Sequence, residues 1–294
     1  MRIAYLILCH KNPRQVEKLI QQLDDGNSDF FLHVDKKADI SSYQFNITNV
    51  HYVPEQKRVD IRWASIEMVS ATLLLMDLVR ETHTKYDYIS LLSGQDFPIK
   101  SNTDIQLYLQ ANKGFNFIEI IPHSDLRYKR YLKRNLIYYP KWMYGESKII
   151  KALKRMYIIL TGGNNHTFSM CHRKNKLAMD FEFGSQWWCF TYDCLSWILD
   201  YIKCNPNYFC FYKNAMTADE SFFQTIFMSS PYKDQRKDKL TYLEMGKNHP
   251  RVFTEDDYGL LMDGRNELFA RKFDDNVNAE IVSKITDNIK NITN

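Results

Sequence analysis

Three features of this 294-residue chain have the residue types and spacing to do chemistry. The first is Met216-Thr-Ala-Asp-Glu-Ser-Phe-Phe-Gln-Thr225. Glu220 falls three residues after Thr217, the spacing of a capping box. Its carboxylate therefore has two readings: a cap for the helix predicted over Asp219–Met228, or a fixed general base beside a pocket. The second is His249-Pro-Arg251, followed by Thr254, Glu255-Asp-Asp257 and then Leu268-Phe-Ala-Arg-Lys-Phe273. Phe269 and Phe273 bracket Arg271 and Lys272 like a buried strand that aims charges into a site, with ordinary surface charge as the plain alternative. An Arg and a Lys directed at a diphosphate can do the work that a metal ion does elsewhere. The third feature is a gap. Among the 23 aspartates no two are separated by one residue, so an Asp-x-Asp pair able to hold a divalent ion on a diphosphate is missing. Asp180-Phe-Glu182 and Glu255-Asp-Asp257 are the nearest substitutes, and the latter reads as first-turn acids favouring a helix dipole.

The elements that must position these groups alternate. Arg2–Cys9 is a continuous apolar run, as in a strand covered on both faces. Asn12 is placed to cap a helix with Pro13 at its first position, running to about Leu23. Strands are predicted at Phe30–Val34, Val50–Val53, Tyr86–Leu92, Phe115–Ile121 and Gln186–Phe190. Helices are predicted at Trp63–Glu81, after Ser101, at Cys194–Lys203 and at Val277–Ile292. Lys233–Lys239 reads as a charged, mobile loop. Strand–helix–strand repetition implies a largely parallel α/β sheet with helices on both faces, and ligands bind beyond the carboxyl ends of such strands. The polar residues there are His10-Lys11, Asp35-Lys36 and Ser93-Gly94-Gln95-Asp96.

Composition narrows the function. Glycine numbers only 10 while Tyr and Phe total 37, and neither a G-x-G-x-x-G nor a P-loop pattern occurs, which excludes binding by a Gly-rich phosphate loop. The six cysteines (Cys9, Cys171, Cys189, Cys194, Cys204, Cys210) form no C-x-x-C pair, and several lie in apolar runs such as LILCHK, QWWCFTY and NYFCFY. They read as reduced core thiols of a cytoplasmic protein. The start MRIAYLILCHKN has too short an apolar run for a signal peptide, and no stretch is long enough to span a membrane. Net charge is +4, but Arg127–Arg155 holds ten basic residues and one acid, a local +9 that leaves −5 for the rest. Six Tyr or Trp residues are interleaved there. No nucleic-acid motif accompanies them, so the segment is a solvated face or, at Lys148–Leu160, a basic amphipathic stretch able to lie on an anionic membrane.

The motifs HVDKKAD around Asp35, RWAS (62–65), LLSGQDFPIK (91–100), GSQWW (184–188), ADESFFQT (218–225) and HPRVFTEDD…LFARKFD (249–274) occur in this order. Together, over about residues 3–275, they resemble the core-2/I-branching β-1,6-N-acetylglucosaminyltransferase family, glycosyltransferase family 14, which also holds peptide O-xylosyltransferases. The chain is similar to a compact bacterial-type member without the membrane anchor and stem of the animal enzymes. The resemblance implies a GT-A type fold, a Rossmann-like, mixed but mostly parallel sheet with helices on both faces. It implies one glycosyltransferase domain over 1–294: a nucleotide-binding half to about 125, an acceptor and catalytic half over about 126–275, and a C-terminal helix over 276–294.

It further implies transfer of a sugar, N-acetylglucosamine first and xylose second, from a UDP-sugar to a hydroxyl of a glycan or lipid-linked glycan, with inversion and no metal ion. Bacterial surface polysaccharide assembly is the setting, with no cofactor and no nucleic-acid partner. Residue by residue, Asp35 would bind uridine and Trp63 would lie against uracil. Glu220 would be the base, with Ala218 standing where the family has proline. Arg251 and Lys272 would neutralise the diphosphate, Asp96 would bind substrate, and Glu119, Arg127 and Tyr242 would serve the acceptor side. Apart from the resemblance, the basic, amphipathic residues themselves suggest peripheral contact with the inner membrane face through 127–160. A glycoside hydrolase would need a second acid facing Glu220, and Asp219 is expected to point elsewhere. A non-catalytic glycan-binding protein is the remaining alternative.

Overall fold

The computed structural model describes residues 1–144, 147–160, 177–246 and 249–293. Cys171 and Glu146 of the sequence analysis lie outside the described residues. The strands are β1 (Ile3–Cys9), β2 (Asp29–Val34), β3 (Val50–Tyr52), β4 (Tyr88–Ser93), β5 (Asp96–Pro98), β6 (Asn116–Phe117), β7 (Cys189–Thr191), β8 (Arg236–Lys237), β9 (Thr241–Leu243) and β10 (Phe269–Arg271). The helices are α1 (Pro13–Leu23), α2 (Ile66–Glu81), α3 (Asn102–Ala111), α4 (Leu126–Leu136), α5 (Lys148–Leu160), α6 (Tyr192–Cys204), α7 (Pro206–Tyr212), α8 (Phe222–Met228), α9 (Tyr258–Met262) and α10 (Glu280–Thr293).

Seven strands form one sheet in the order β3-β2-β1-β4-β7-β6-β8. Its β3-β2-β1-β4 side is parallel throughout, and β7 runs antiparallel to both its neighbours. This is the mixed, mostly parallel sheet that the resemblance implies. Successive side chains of a strand point to opposite faces, and β1 shows why its run is apolar throughout. Ile3, Tyr5, Ile7 and Cys9 pack with α1, α3 and α10, whereas Ala4, Leu6 and Leu8 pack with α2, α6 and α8. Both faces are thus covered, and every β1 residue is buried.

A second sheet, β5-β10-β9, brings three distant segments together. β10 is antiparallel to β5, setting Arg271 opposite Asp96, and parallel to β9, setting Ala270 opposite Tyr242. Gln15 on α1 ties this sheet to the first: its amide donates to the Gly94 carbonyl at 2.9 Å and the Phe273 carbonyl at 3.2 Å.

Local differences from the expected elements have simple causes. α2 begins at Ile66, so Trp63 stands in the preceding loop, where Ala64 takes φ 63°. Asn12 takes φ 53° and does not cap α1, because its side-chain amide reaches Asp274 Oδ1 at 2.8 Å instead. Ser101 caps α3 as expected, accepting from the Asp104 N–H. Lys233–Lys239 is not simply a loop: Arg236–Lys237 pairs with β6 at the sheet edge. Cys9, Cys189 and Cys194 are buried, and burial pushes their thiols up. Cys204 and Cys210 are exposed, so the apolar run NYFCFY does not bury its cysteine. No helix among the described residues is long and apolar enough to cross a membrane.

Candidate active site

Glu220 closes a single 3-10 turn, Ala218–Glu220, that precedes α8. The expected capping box does not form. Thr217 takes the left-handed conformation at φ 56°, its hydroxyl donates to the Met216 carbonyl, and its N–H donates to the Ala64 carbonyl at 2.7 Å. The capping box of this region is instead Thr254 with Asp257, so the acids at 255–257 do start a helix. Glu220 is therefore free of a capping role.

Burial pushes the Glu220 carboxyl up, and the neighbouring Asp219 charge adds to it, while Arg134 and hydrogen bonds from Thr217 and Tyr131 oppose the rise. The adjacent Asp219 lies on the same 3-10 turn. Burial raises its carboxyl as well, and its Oδ1 is enclosed without a hydrogen-bond partner among the described residues. A carboxylate held this way sits closer to neutral pH than an exposed one, which suits a base.

Gly184 welds the Glu220 turn to Glu119. Its N–H donates to the Glu220 carbonyl at 2.9 Å, and a Cβ there would lie 1.9 Å from the Glu119 carbonyl oxygen. Only glycine fits between them. The Glu119 carboxylate accepts from the Ser185 N–H at 2.9 Å and pairs with Lys239 at 2.8 Å. Arg127 is half exposed, lies 4.0 Å from Glu119 and is held by Asp125 at 2.8 Å. Lys239, Tyr131 and Arg134 are site residues that motif spacing did not single out. The last two lie in the basic-aromatic segment, whose interleaving of rings and cations was the available signal.

The carboxyl ends of β1 and β10 gather cations. Lys11 pairs with Asp274 at 2.5 Å. Arg271 lies over the Trp187 ring, 4.3 Å from its centroid, and pairs with Asp96 at 2.6 Å. Lys272 has no ion-pair or hydrogen-bond partner for its ammonium among the described residues, and burial with the charges of Arg271 and Lys11 pushes its pKa down. The same surroundings, burial and the cations Lys11, Lys272 and Arg271, lower that of His10, against the pull of Asp35. Such a cluster repels itself until an anion arrives.

Two expected roles change in this light. Asp96 has no exposed surface, and its carboxylate is taken by Arg271, the Ser93 N–H and the Ser93 hydroxyl. It positions Arg271 rather than touching substrate itself. Arg251 is already neutralised: both its terminal nitrogens bind Asp257 at 2.7 Å, and one also binds Glu244 at 2.8 Å. That clamp raises its pKa and leaves the local charge at −1.

Asp35 is buried and accepts from the Lys37 N–H at 2.9 Å and the Ile61 N–H at 3.2 Å, which fixes the loop leading to Trp63. Trp63 is 55% exposed, edge-on to His249 at 6.5 Å, a ring left open for stacking. Tyr242 stacks on Phe253 at 5.9 Å and carries the Arg265 guanidinium 3.5 Å from its ring centroid, so its ring already has two partners within the protein. Among the described residues no three His, Cys, Asp or Glu side chains converge as metal ligands do.

The Core-2/I-Branching enzyme family matches residues 3–260 of the chain. Xylosyltransferase 1 of Pan troglodytes is 22% identical over 97% of this chain and 30% of its own length. Xylosyltransferase 2 of Rattus norvegicus is 22% identical over 96% of this chain and 33% of its own length. A β-1,3-galactosyl-O-glycosyl-glycoprotein β-1,6-N-acetylglucosaminyltransferase 4 of Danio rerio is 27% identical over 44% of this chain and 31% of its own length. The chain thus spans about a third of the length of the curated relatives it matches. Among solved structures, apo mouse xyloside xylosyltransferase 1 covers 92% of this chain and 97% of its own at 10% identity and a TM-score of 0.36.

Proposed function

Since the chain belongs to the Core-2/I-Branching enzyme family, we propose that it transfers a sugar from a UDP-sugar to a hydroxyl of a glycan, with inversion and without a metal ion. The observation that carries this reading is the cation cluster of Lys11, Arg271 and Lys272, in which Lys11 and Arg271 are paired and Lys272 makes no ion-pair contact among the described residues. A diphosphate supplies that contact.

The acceptor hydroxyl attacks the anomeric carbon from the face opposite UDP. The new C–O bond forms as the bond to the diphosphate oxygen breaks, the hydroxyl proton passes to Glu220, and UDP leaves with the electron pair. Lys272 and Arg271 meet the charge that grows on the leaving diphosphate, and fixed cations need little reorganisation to do so. Arg251 joins them only by exchanging Asp257 or Glu244 for phosphate oxygens. Trp63 offers its open ring to uracil, and the buried Asp35 holds that loop in place.

N-acetylglucosamine is the donor sugar in this reading, for use in surface polysaccharide assembly. Xylose is the second reading, favoured by the whole-chain matches to proteins named xylosyltransferases. A UDP-release screen across UDP-sugars, with and without EDTA, tests both. Release that EDTA leaves unchanged is expected; strong loss restored by Mn²⁺ overturns the metal-free step.

A further inference from the structure

Helix α5 has no part in the transfer step, yet its surface is unlike that of an ordinary solvated helix. It rests on the body through Tyr157, which packs against a small cluster that includes Ala64, Tyr139 and Met216. Lys154 helps, its ammonium 5.5 Å from the Tyr139 ring centroid and 3.0 Å from Met216 Sδ. Four apolar side chains of α5 are uncovered: Ile149 is 73% exposed, Ile159 65%, Met156 51% and Leu153 40%. At 3.6 residues per turn, Ile149, Leu153 and Met156 form one stripe with Ile159 at its edge. Beside it Trp142 joins Leu153, Met156 and Tyr157 around an apolar recess of about 350 Å³.

The next arc of the helix carries Lys148, Lys151 and Arg155, all exposed and without ion-pair partners among the described residues. No acid occurs from 148 to 160. α4 adds Lys129, Arg130 and Lys133 to the same basic segment. An exposed apolar stripe flanked by unpaired cations is the profile of a helix lying in the plane of an anionic interface, and the charge complementarity favours lipid headgroups over a second copy of an equally basic face.

We propose that α5 docks the protein on an anionic bilayer, with Ile149, Leu153, Met156 and Ile159 at the acyl boundary and Lys148, Lys151 and Arg155 on the headgroup phosphates. The supporting cluster also holds Ala64 and Met216, which adjoin Trp63 and Thr217, so docking brings the base turn next to the membrane surface. The proposal is independent of the transfer reading, since docking needs no substrate.

Vesicle co-sedimentation tests it, comparing phosphatidylcholine alone with phosphatidylcholine–phosphatidylglycerol mixtures. The full chain should bind the anionic vesicles at low salt and release at high salt. Ile149→Glu with Met156→Glu should lower partitioning by roughly tenfold or more. Lys148→Glu with Lys151→Glu and Arg155→Glu should lower it on the order of 100-fold. Far-UV circular dichroism should match the unchanged chain in both variants; a variant that fails this is replaced by Ile149→Ser with Met156→Ser, for which a smaller loss is expected. Absent binding at low salt, equal binding to both vesicle types, or binding indifferent to the apolar substitutions overturns the proposal. So does a dimer in sedimentation equilibrium that Ile149→Glu with Met156→Glu dissolves, which would assign the stripe to a second copy.

Discussion

The 217–220 turn and the joined ends of β1 and β10 rest on the same physics with opposite sign. The turn crowds two carboxyls, Asp219 and Glu220, into a partly dry space, so both are pushed up. At the strand ends burial, joined by the charges of Lys11 and Arg271, pushes Lys272 and His10 down. Each region holds an excess of one sign of charge: the carboxyls of the turn in one, and Lys272, beyond the Lys11–Asp274 and Arg271–Asp96 pairs, in the other. A proton relieves the first and an anion relieves the second. The difference teaches how the proposed transfer would keep two tasks apart: the turn would accept a proton from a hydroxyl, and the strand ends would take a diphosphate. The Arg251 clamp is a third arrangement, charge already cancelled inside the protein.

The largest effect should come from Glu220→Gln, lowering kcat by a factor on the order of 10²–10⁴ with UDP affinity unchanged. Wild-type turnover in that variant would erase the division of labour. Next, Lys272→Met should weaken UDP binding by about 10–100-fold in calorimetry, the worth of a charged hydrogen bond. Arg251→Gln should weaken it only a few-fold, because its charge is already met by two acids; the reverse order would make the clamp, not the strand end, the diphosphate site.

The pH dependences should then separate the regions. With Glu220 raised, kcat should fall as pH drops through a value above the ordinary carboxylate range, and Glu220→Gln should abolish that limb. With Lys272 lowered, UDP affinity should fall as pH rises through a value below the ordinary lysine range, a limb absent in Lys272→Met. The smallest effect concerns stability. A carboxyl whose folded pKa is raised binds more protons folded than unfolded, so stability declines as pH rises from the ordinary value through the raised one. Glu220→Gln should accordingly raise the thermal midpoint at neutral pH and lose that advantage in acid. A variant no more stable at neutral pH would mean the carboxyl is not held dry.

Much of this was legible in the residues. The uniform run of β1 announced a strand covered twice, and the order of helices and strands announced the sheet. Glu220, Lys272 and Trp63 came from motif order, and each occupies a place where its chemistry is usable. Partnership was not legible. Asp96 and Arg251 have suitable types in suitable motifs, but burial under Arg271 and enclosure by Glu244 and Asp257 come from contacts between segments. The Thr217–Glu220 spacing suited a cap, and a backbone bond from Thr217 to Ala64 decided otherwise. Lys239 looked like loop charge because it follows the β8 edge strand in a loop, and its pairing with Glu119 is a contact between distant segments.

The bonds from Gln15 to Phe273 and from Lys11 to Asp274 join residues 258 and 263 positions apart. Synthesis and function are therefore ordered in time. A nascent chain completes β1, α1 and Glu220 long before β10 exists. Until the last strand enters between β5 and β9, Arg271 and Lys272 are missing beside Lys11, and the proposed diphosphate site is incomplete. The late closing of so distant a contact delays catalysis until the whole sheet has been assembled.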